Sequence, residues 1–221
     1  MAEISGRAVG AGAACALLGE ALAFATSSEA AAPYDDSVRC RDRVVRKVDV
    51  QTRTAEATVF TKLKRYGGEA LPTTYGCMRN SPRLTRLDRP TVDRATHPIL
   101  AGHFVAFTRV EHLDRDTESV GVYNLRIGAE WHRLATQPDG GEPPATVQAM
   151  VLKRNSSIVW LTAAATGEQE LWMLESGPEG VPITEIDDGP PFIEPDSLRL
   201  SRDNRTVSWV KATRARSVPI D

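Results

Sequence analysis

Short runs of alternating apolar and polar residues, each ended by a polar turn, recur from residue 43 to the end of the chain. Thr206-Val207-Ser208-Trp209 is one such run, and Thr58-Val59-Phe60 repeats the alternation upstream. A period of two is typical of strands with one face buried in a core. No sustained helical period occurs beyond the first 32 residues. The pattern therefore predicts an all-β domain of antiparallel strands.

One hairpin occurs twice in the sequence. Residues 149–161 and 198–210 both read as strand, polar turn and strand, and they lie 49 positions apart. The alignment extends to four equivalent aromatic residues with spacings of 47, 53 and 49: Phe60, Phe107, Trp160 and Trp209. A period near 50 with four strands per unit is typical of propeller blades, because one such sheet cannot bury both faces alone. We predict four blade-like antiparallel units, forming a small β-propeller or an incomplete propeller-like array.

The predicted β domain spans residues 33–221. Its units cover about 53–94, 95–140, 145–190 and 195–221, and the last unit supplies only three strands. A strand predicted at 43–50 precedes the first unit and has no place in it. Pairing this strand with the one at 215–220 would complete the last unit, close the ring and remove exposed edges. An open or sandwich-like array of the four units remains the alternative.

The N-terminus resembles a secretory signal peptide, which we predict over residues 1–32. Arg7 precedes an apolar run over residues 8–25, and small residues follow at Ser28, Ala30 and Ala32. Two acidic residues fit this layout poorly: Glu3 and Glu20. The alternative is an N-terminal extension of a cytosolic protein. Since the apolar run is short and rich in alanine, we predict no membrane span in the mature chain.

Three cysteines are present, and the first, Cys15, lies within the predicted signal peptide. Cys40 and Cys77 remain as an even pair, which suits a disulfide in an oxidising compartment. Closing a loop of this size is worth about 3–4 kcal/mol in the chain-entropy account. Two small buried thiols are the alternative. No CxxC motif or nearby histidine favours a metal site at either cysteine.

Charge is close to balanced overall but unevenly distributed. The chain has 27 Lys and Arg against 29 Asp and Glu, so it lacks the basic excess typical of nucleic-acid binding, and we predict no nucleic-acid partner. Residues 38–94 contain 14 basic and 6 acidic residues, a net charge of +8, whereas residues 95–221 contain 12 and 18, a net charge of −6. Either two faces attract each other within one fold, or a basic face meets an anionic partner.

Few residues suggest catalytic chemistry. The sequence has no GxSxG, HExxH, P-loop or GxGxxG motif. Asp114, Asp116 and Glu118 are spaced as in a calcium loop that lacks its glycine and its closing glutamate. Four histidines show no ligand spacing: His97, His103, His112 and His132. We predict no catalytic residue, no cofactor and no metal site.

Paired carboxylates are the one arrangement that favours an enzyme. Asp187-Asp188 and the nearby Glu194 and Asp196 lie around a proline-rich loop. Glycoside hydrolysis needs two carboxyl groups about 5–9.5 Å apart across a pocket. The alternative is a set of acidic residues in exposed turns.

One turn carries a family resemblance. Residues 201–209, S-R-D-N-R-T-V-S-W, resemble the S-P-D-G-K/R-x-I/V-A/V-F/W turn of TolB-type β-propeller repeats. Arg202 replaces the proline of that motif, and Asn204 replaces its glycine, which asparagine can do because it tolerates a left-handed backbone. Residues 155–160 are a weaker copy. The resemblance implies a propeller fold and a habit of binding partners, with turns that are structural.

These features together lead to a functional expectation. We expect a secreted or periplasmic, cell-envelope-associated module without catalytic activity, which binds an unknown protein or an envelope polymer. The alternative is an extracytoplasmic hydrolase or lyase that acts on sugars or lactones, with carboxylates and histidines around a central channel.

Overall fold

The structure is a computed structural model, and it describes residues 40, 48–89, 93–112, 116–136, 145–176 and 182–221. The predicted signal peptide lies outside these residues, and so do residues 43–47 of the predicted closing strand. Within the described chain, the elements are strands and one 3₁₀ turn, Pro195–Ser197. No described helix has the length and hydropathy needed to span a membrane.

The strands form four antiparallel sheets, each built from strands that are consecutive in the chain. Sheet 1 contains β1 (Asp49–Arg53), β2 (Ala57–Tyr66), β3 (Glu69–Met78) and β4 (Thr85–Arg86). Sheet 2 contains β5 (Asp93–Ala101), β6 (Phe104–His112), β7 (Asp116–Asn124) and β8 (Ala129–Ala135). Sheet 3 contains β9 (Thr146–Leu152), β10 (Ile158–Ala163), β11 (Gln169–Leu174) and β12 (Thr184–Asp188). Sheet 4 contains β13 (Arg199–Leu200), β14 (Thr206–Lys211) and β15 (Arg214–Pro219).

The all-β prediction is confirmed, and so are four antiparallel units of which the last has three strands. The predicted closing strand needs a correction at its described end. Asp49 and Val50 pair with Thr61 and Phe60, so they begin sheet 1, in which the sequence had left them no place. The short turn between β1 and β2 explains this, because neighbouring antiparallel strands joined by a short turn pair with each other first. Residues 43–47 lie outside the described residues, so a pairing of that segment with the strand at 215–220 stays a prediction. No strand pair between sheets 1 and 4 is present among the described residues.

The four repeated aromatic residues occupy equivalent places. Each lies on the second strand of its sheet and is at most 4% exposed: Phe60 on β2, Phe107 on β6, Trp160 on β10 and Trp209 on β14. Phe107 belongs to the apolar cluster between sheets 1 and 2, Trp160 to the cluster between sheets 2 and 3, and Trp209 to the cluster between sheets 3 and 4. Large rings that fill the space between successive sheets therefore hold the stack together.

Phe60 lies on the opposite face of sheet 1, away from sheet 2. There it packs with Cys40 and Cys77, and these two cysteines form the predicted disulfide with their Cα atoms 5.9 Å apart. Val48, Tyr75 and Leu84 surround the cluster. In sheets 2 to 4 the equivalent ring faces the preceding sheet. In sheet 1 the disulfide and its apolar neighbours cover Phe60 in place of a sheet.

Breaking this disulfide is expected to destabilise the domain. Replacing Cys40 and Cys77 by serine together should lower the free energy of unfolding by about 2–4 kcal/mol, because the crosslink closes a loop of 37 residues in the unfolded chain. Urea unfolding with and without dithiothreitol measures this. The reductant should weaken the wild type to the level of the double variant and leave that variant unchanged. Equal stability of the wild type and the double variant without dithiothreitol would contradict a stabilising disulfide between Cys40 and Cys77.

Candidate functional site

A cavity of about 610 Å³ opens between sheets 1 and 2. Among the described residues, its charged lining contains four arginines and three carboxylates: Arg86, Arg89, Arg109, Arg133, Asp88, Asp93 and Glu130. The end of sheet 1 around β4 supplies one wall, and strands of sheet 2 supply the other. A concavity between two sheets that gathers this many charged side chains is the candidate site.

Arg109 lies at the centre of this lining. It follows Phe107 by two positions on β6, so the alternation of the strand turns both side chains toward sheet 1. Gly121 lies opposite Phe107 in register, and a Cβ there would approach the Phe107 ring to 2.9 Å. The glycine thus lets the ring lie flat on β7. The Arg109 guanidinium lies beyond it, 5.6 Å from the Phe107 ring and 5.8 Å from the Tyr123 ring.

The Arg109 side chain is only 6% exposed, yet its donors are incompletely used. One Nη donates to the Tyr123 hydroxyl at 3.0 Å. The guanidinium also lies 3.8 Å from Asp93 and 3.4 Å from Glu130, so its charge is compensated. Its Nε, however, is buried without a hydrogen-bond acceptor. A buried donor without an acceptor costs free energy, and an acceptor on a ligand would remove that cost.

Two of the carboxylates hold the cavity together. Asp88 accepts the backbone N–H of Thr74 in sheet 1 at 2.9 Å and that of Ala95 in sheet 2 at 3.5 Å. Burial raises the pKa of Asp88, and the bond from Thr74 opposes that rise. Asp93 accepts the backbone N–H of Arg89 and faces Arg109. These two carboxylates therefore fix the position of the walls relative to each other.

The remaining charged groups are accessible. Arg86, Arg89 and Arg133 are exposed at the rim. The Glu130 carboxylate is one-third exposed and is approached by the Tyr123 hydroxyl at 3.5 Å. Burial raises the pKa of Tyr123, and the hydrogen bond from Arg109 partly offsets this. Of the described side chains, a ligand that enters the cavity would meet mainly guanidinium groups, one carboxylate and one phenol.

The carboxylates that could suggest glycoside chemistry are not arranged as a pair facing a pocket. Asp187 is a buried acceptor: it receives hydrogen bonds from the Lys211 ammonium and the Trp209 indole, both at 2.7 Å. Arg216 donates to both of its oxygens at 3.0 Å. Asp188, Glu194 and Asp196 are exposed. Asp187 therefore joins sheet 3 to sheet 4, and we assign it a structural role.

The other residues singled out in the sequence lie apart from the cavity lining. This holds for the described residues only, and Asp114 lies outside them. Glu118 accepts the backbone N–H of Val147 at 2.8 Å, which links sheets 2 and 3. The His103 ring lies 4.3 Å from the Phe104 ring and is tilted by 35° relative to it. His132 has a buried Nε2 without a hydrogen-bond partner, and burial lowers its pKa. Among the described residues, no group of three or more His, Cys, Asp or Glu is placed to hold a metal ion.

Sequence reasoning did not identify the cavity. Its residues come from separate strands and loops over residues 86–133, and no short motif connects them. One signal was present: Arg109 occupies an inward position of β6, two residues after a core aromatic. A charged residue at such a position is either paired or functional.

Comparison with known proteins gives no family assignment. No protein-family profile and no curated protein sequence matches the chain. Any function therefore has to be inferred from the cavity and the sheets around it.

Proposed function

We propose that this chain is an extracytoplasmic, non-catalytic binding module that holds a protein or cell-envelope-polymer partner at the arginine-lined cavity. The observation that carries the proposal is the cavity itself, in which the buried Arg109 keeps an Nε–H without an acceptor. A buried donor without a protein acceptor costs free energy, which is unusual for a side chain that serves stability alone. A core selected for stability alone would favour an apolar side chain at this position.

A propeller-like arrangement of the four sheets is part of the proposal. Its support comes from the inner edge of the stack, where β1 contacts β5 and β5 contacts β9. The first turns of sheets 1 and 3 also meet, since Arg154 forms an ion pair with Glu56 at 3.0 Å, and Gly102 of the corresponding turn in sheet 2 lies against both side chains. Contacts between the first strands of successive sheets are what a propeller-like arrangement requires.

Export from the cytoplasm is proposed on two features. The Cys40–Cys77 disulfide suits an oxidising compartment, because cytosolic thiols are kept reduced. The apolar N-terminal segment followed by small residues has the layout of a secretory signal. Both features fit a partner in the cell envelope or outside the cell.

Charge reversal at the rim tests the role of the cavity. The full chain carrying Arg89→Glu should recover roughly fivefold less of its partner in cross-linking from the extracytoplasmic fraction, because reversing a rim charge slows association. Arg202→Glu is the matched control, since Arg202 is equally exposed but lies in a turn of sheet 4. It should capture as much partner as the wild type. Equal losses in both variants, or no loss in either, would argue against binding at the cavity.

A further inference from the structure

We infer that the cavity between sheets 1 and 2 binds an oxyanion, namely a carboxylate or phosphate group on a small ligand or on one unit of a polymer. The inference deepens the proposed function, on which it rests, by naming the chemistry that the cavity recognises. Its first support is the unused donor: the Nε of Arg109 is buried and has no acceptor, while one of its Nη atoms is fixed on Tyr123 at 3.0 Å. A guanidinium that is held in place presents its donors in a fork that matches an oxyanion.

The balance of accessible charge is the second support. Asp88 and Asp93 already accept backbone N–H groups, so their negative charge is partly satisfied by the walls of the cavity. Among the described residues, Arg86, Arg89 and Arg133 are exposed at the rim together with the carboxylate of Glu130, and the Arg86 Nε donates to the Asp88 carbonyl. Sheet 1 also lies within the segment of residues 38–94, which has a net charge of +8. A concave site of one predominant sign concentrates ligands of the opposite sign.

Shape decides which kind of anion is the better fit. A concavity of about 610 Å³ is in the range of small-molecule sites, whereas protein partners meet mostly flat surfaces. The geometry therefore favours a discrete acidic group that enters the cavity over an acidic protein surface laid across it. Sugar acids and phosphate esters both carry such a group, and the experiment separates them.

Titration of the ¹⁵N-labelled full chain tests the inference. Glucuronate and inorganic phosphate are the anionic probes, and glucose is the neutral control of similar size to glucuronate. The Arg109 Nε–H resonance should shift on saturation with at least one of the anions and stay in place with glucose. Affinity should fall as salt is raised, because screening weakens the attraction. Binding of glucuronate alone would assign a sugar acid, and binding of phosphate alone would assign a phosphate ester.

Two variants that change the charge of the cavity in opposite directions show whether a change in anion affinity comes from charge and not from a general loss of folding. Arg89→Gln removes a rim guanidinium but keeps the backbone N–H that Asp93 accepts, and it should weaken anion binding roughly three- to tenfold. Glu130→Gln removes the one accessible carboxylate and should strengthen binding by a similar factor, about three- to tenfold. Arg202→Gln should leave the affinity unchanged.

The outcomes separate this inference from the proposed function. If the anions shift the Arg109 resonance and the two variants change affinity in opposite directions, the inference holds even when no partner is captured. If neither anion binds at millimolar concentration while partner capture still depends on Arg89, the inference is overturned and the proposed function stands. Capture of a protein whose acidic side chain fills the cavity, without binding of either probe, would likewise overturn it. Equal binding of glucose and glucuronate would also overturn it.

Discussion

Replacing Asp187 by alanine is expected to lower the free energy of unfolding by about 3–5 kcal/mol. The Asp187 carboxylate and the Lys211 ammonium are both only 5% exposed and lie 2.7 Å apart. Removing the carboxylate leaves a buried cation without its counter-charge and also removes the acceptor of the Trp209 indole. Because these residues join β12 of sheet 3 to β14 of sheet 4, we expect the substitution to weaken the whole interface between the two sheets.

Urea unfolding of three variants measures this effect and identifies its cause. Asp188→Ala is the matched control, since Asp188 is the exposed neighbour on the same strand, and it should change stability by less than about 1 kcal/mol. The double variant Asp187→Ala/Lys211→Met should recover much of the loss, because it no longer buries an unpaired charge. A double variant as unstable as Asp187→Ala would show that the charge pair is not the cause.

The difference in the free energy of unfolding between the wild type and Asp187→Ala should also depend on pH. Burial raises the pKa of Asp187, but the hydrogen bonds from Lys211 and Trp209 outweigh it, so the pKa in the folded chain is lowered. A lowered folded-state pKa adds stability above the unfolded value of about 3.9, and this is lost as the pH falls through the folded-state pKa. The wild type should therefore approach Asp187→Ala in stability below about pH 4. A difference that stays constant into acid would contradict the lowered pKa.

Replacing Trp160 by alanine is expected to cost about 3–5 kcal/mol. Trp160 is fully buried in the apolar cluster between sheets 2 and 3, and its indole donates to the carbonyl of Thr136 at 3.2 Å, at the end of β8. The variant would leave a large cavity and an unpaired carbonyl at the interface of two sheets.

Trp131→Ala is the control for this variant. Trp131 is 45% exposed on β8, and its removal should cost less than about 1 kcal/mol. Equilibrium unfolding followed by circular dichroism compares the two variants without depending on tryptophan fluorescence. Similar losses for both would show that Trp160 does not fill the interface between the sheets.

The strands and the repeat could be predicted from the sequence because both are encoded locally. Alternation of apolar and polar residues marks a strand, and polar turns mark its ends. Thus the hairpin predicted over residues 149–161 is observed as β9 paired with β10, and the one over residues 198–210 as β13 paired with β14. The equivalence of the four aromatic residues followed from the same periodicity.

The partner of a strand and the lining of the cavity are not encoded locally. The segment around Val50 reads as a strand whichever neighbour it pairs with, and the short connection to β2 decided in favour of sheet 1. The cavity depends on which loops of sheet 1 lie against sheet 2, and a single sequence does not specify this. The charged residues of the cavity could be recognised as one group only after the fold had placed them together.

The second strands show how the same position can become structural or functional. Arg109 and Lys211 both follow the core aromatic by two residues, and both side chains are at least nine-tenths buried. Lys211 is bound directly by Asp187 at 2.7 Å, so its charge serves the interface between sheets 3 and 4. Arg109 has carboxylates at 3.4 and 3.8 Å and an unpaired Nε, so it remains able to bind a further acceptor. This difference is the physical basis for placing the binding site between sheets 1 and 2.

Hydrogen–deuterium exchange of the full chain, with and without its captured partner, tests the location of binding most directly. Binding at the cavity predicts slower exchange in peptides that contain β4 and residues 87–89 and in peptides that contain β8, with little change in β14 and β15. Slower exchange confined to sheet 4, with β4 and β8 unchanged, would contradict the account.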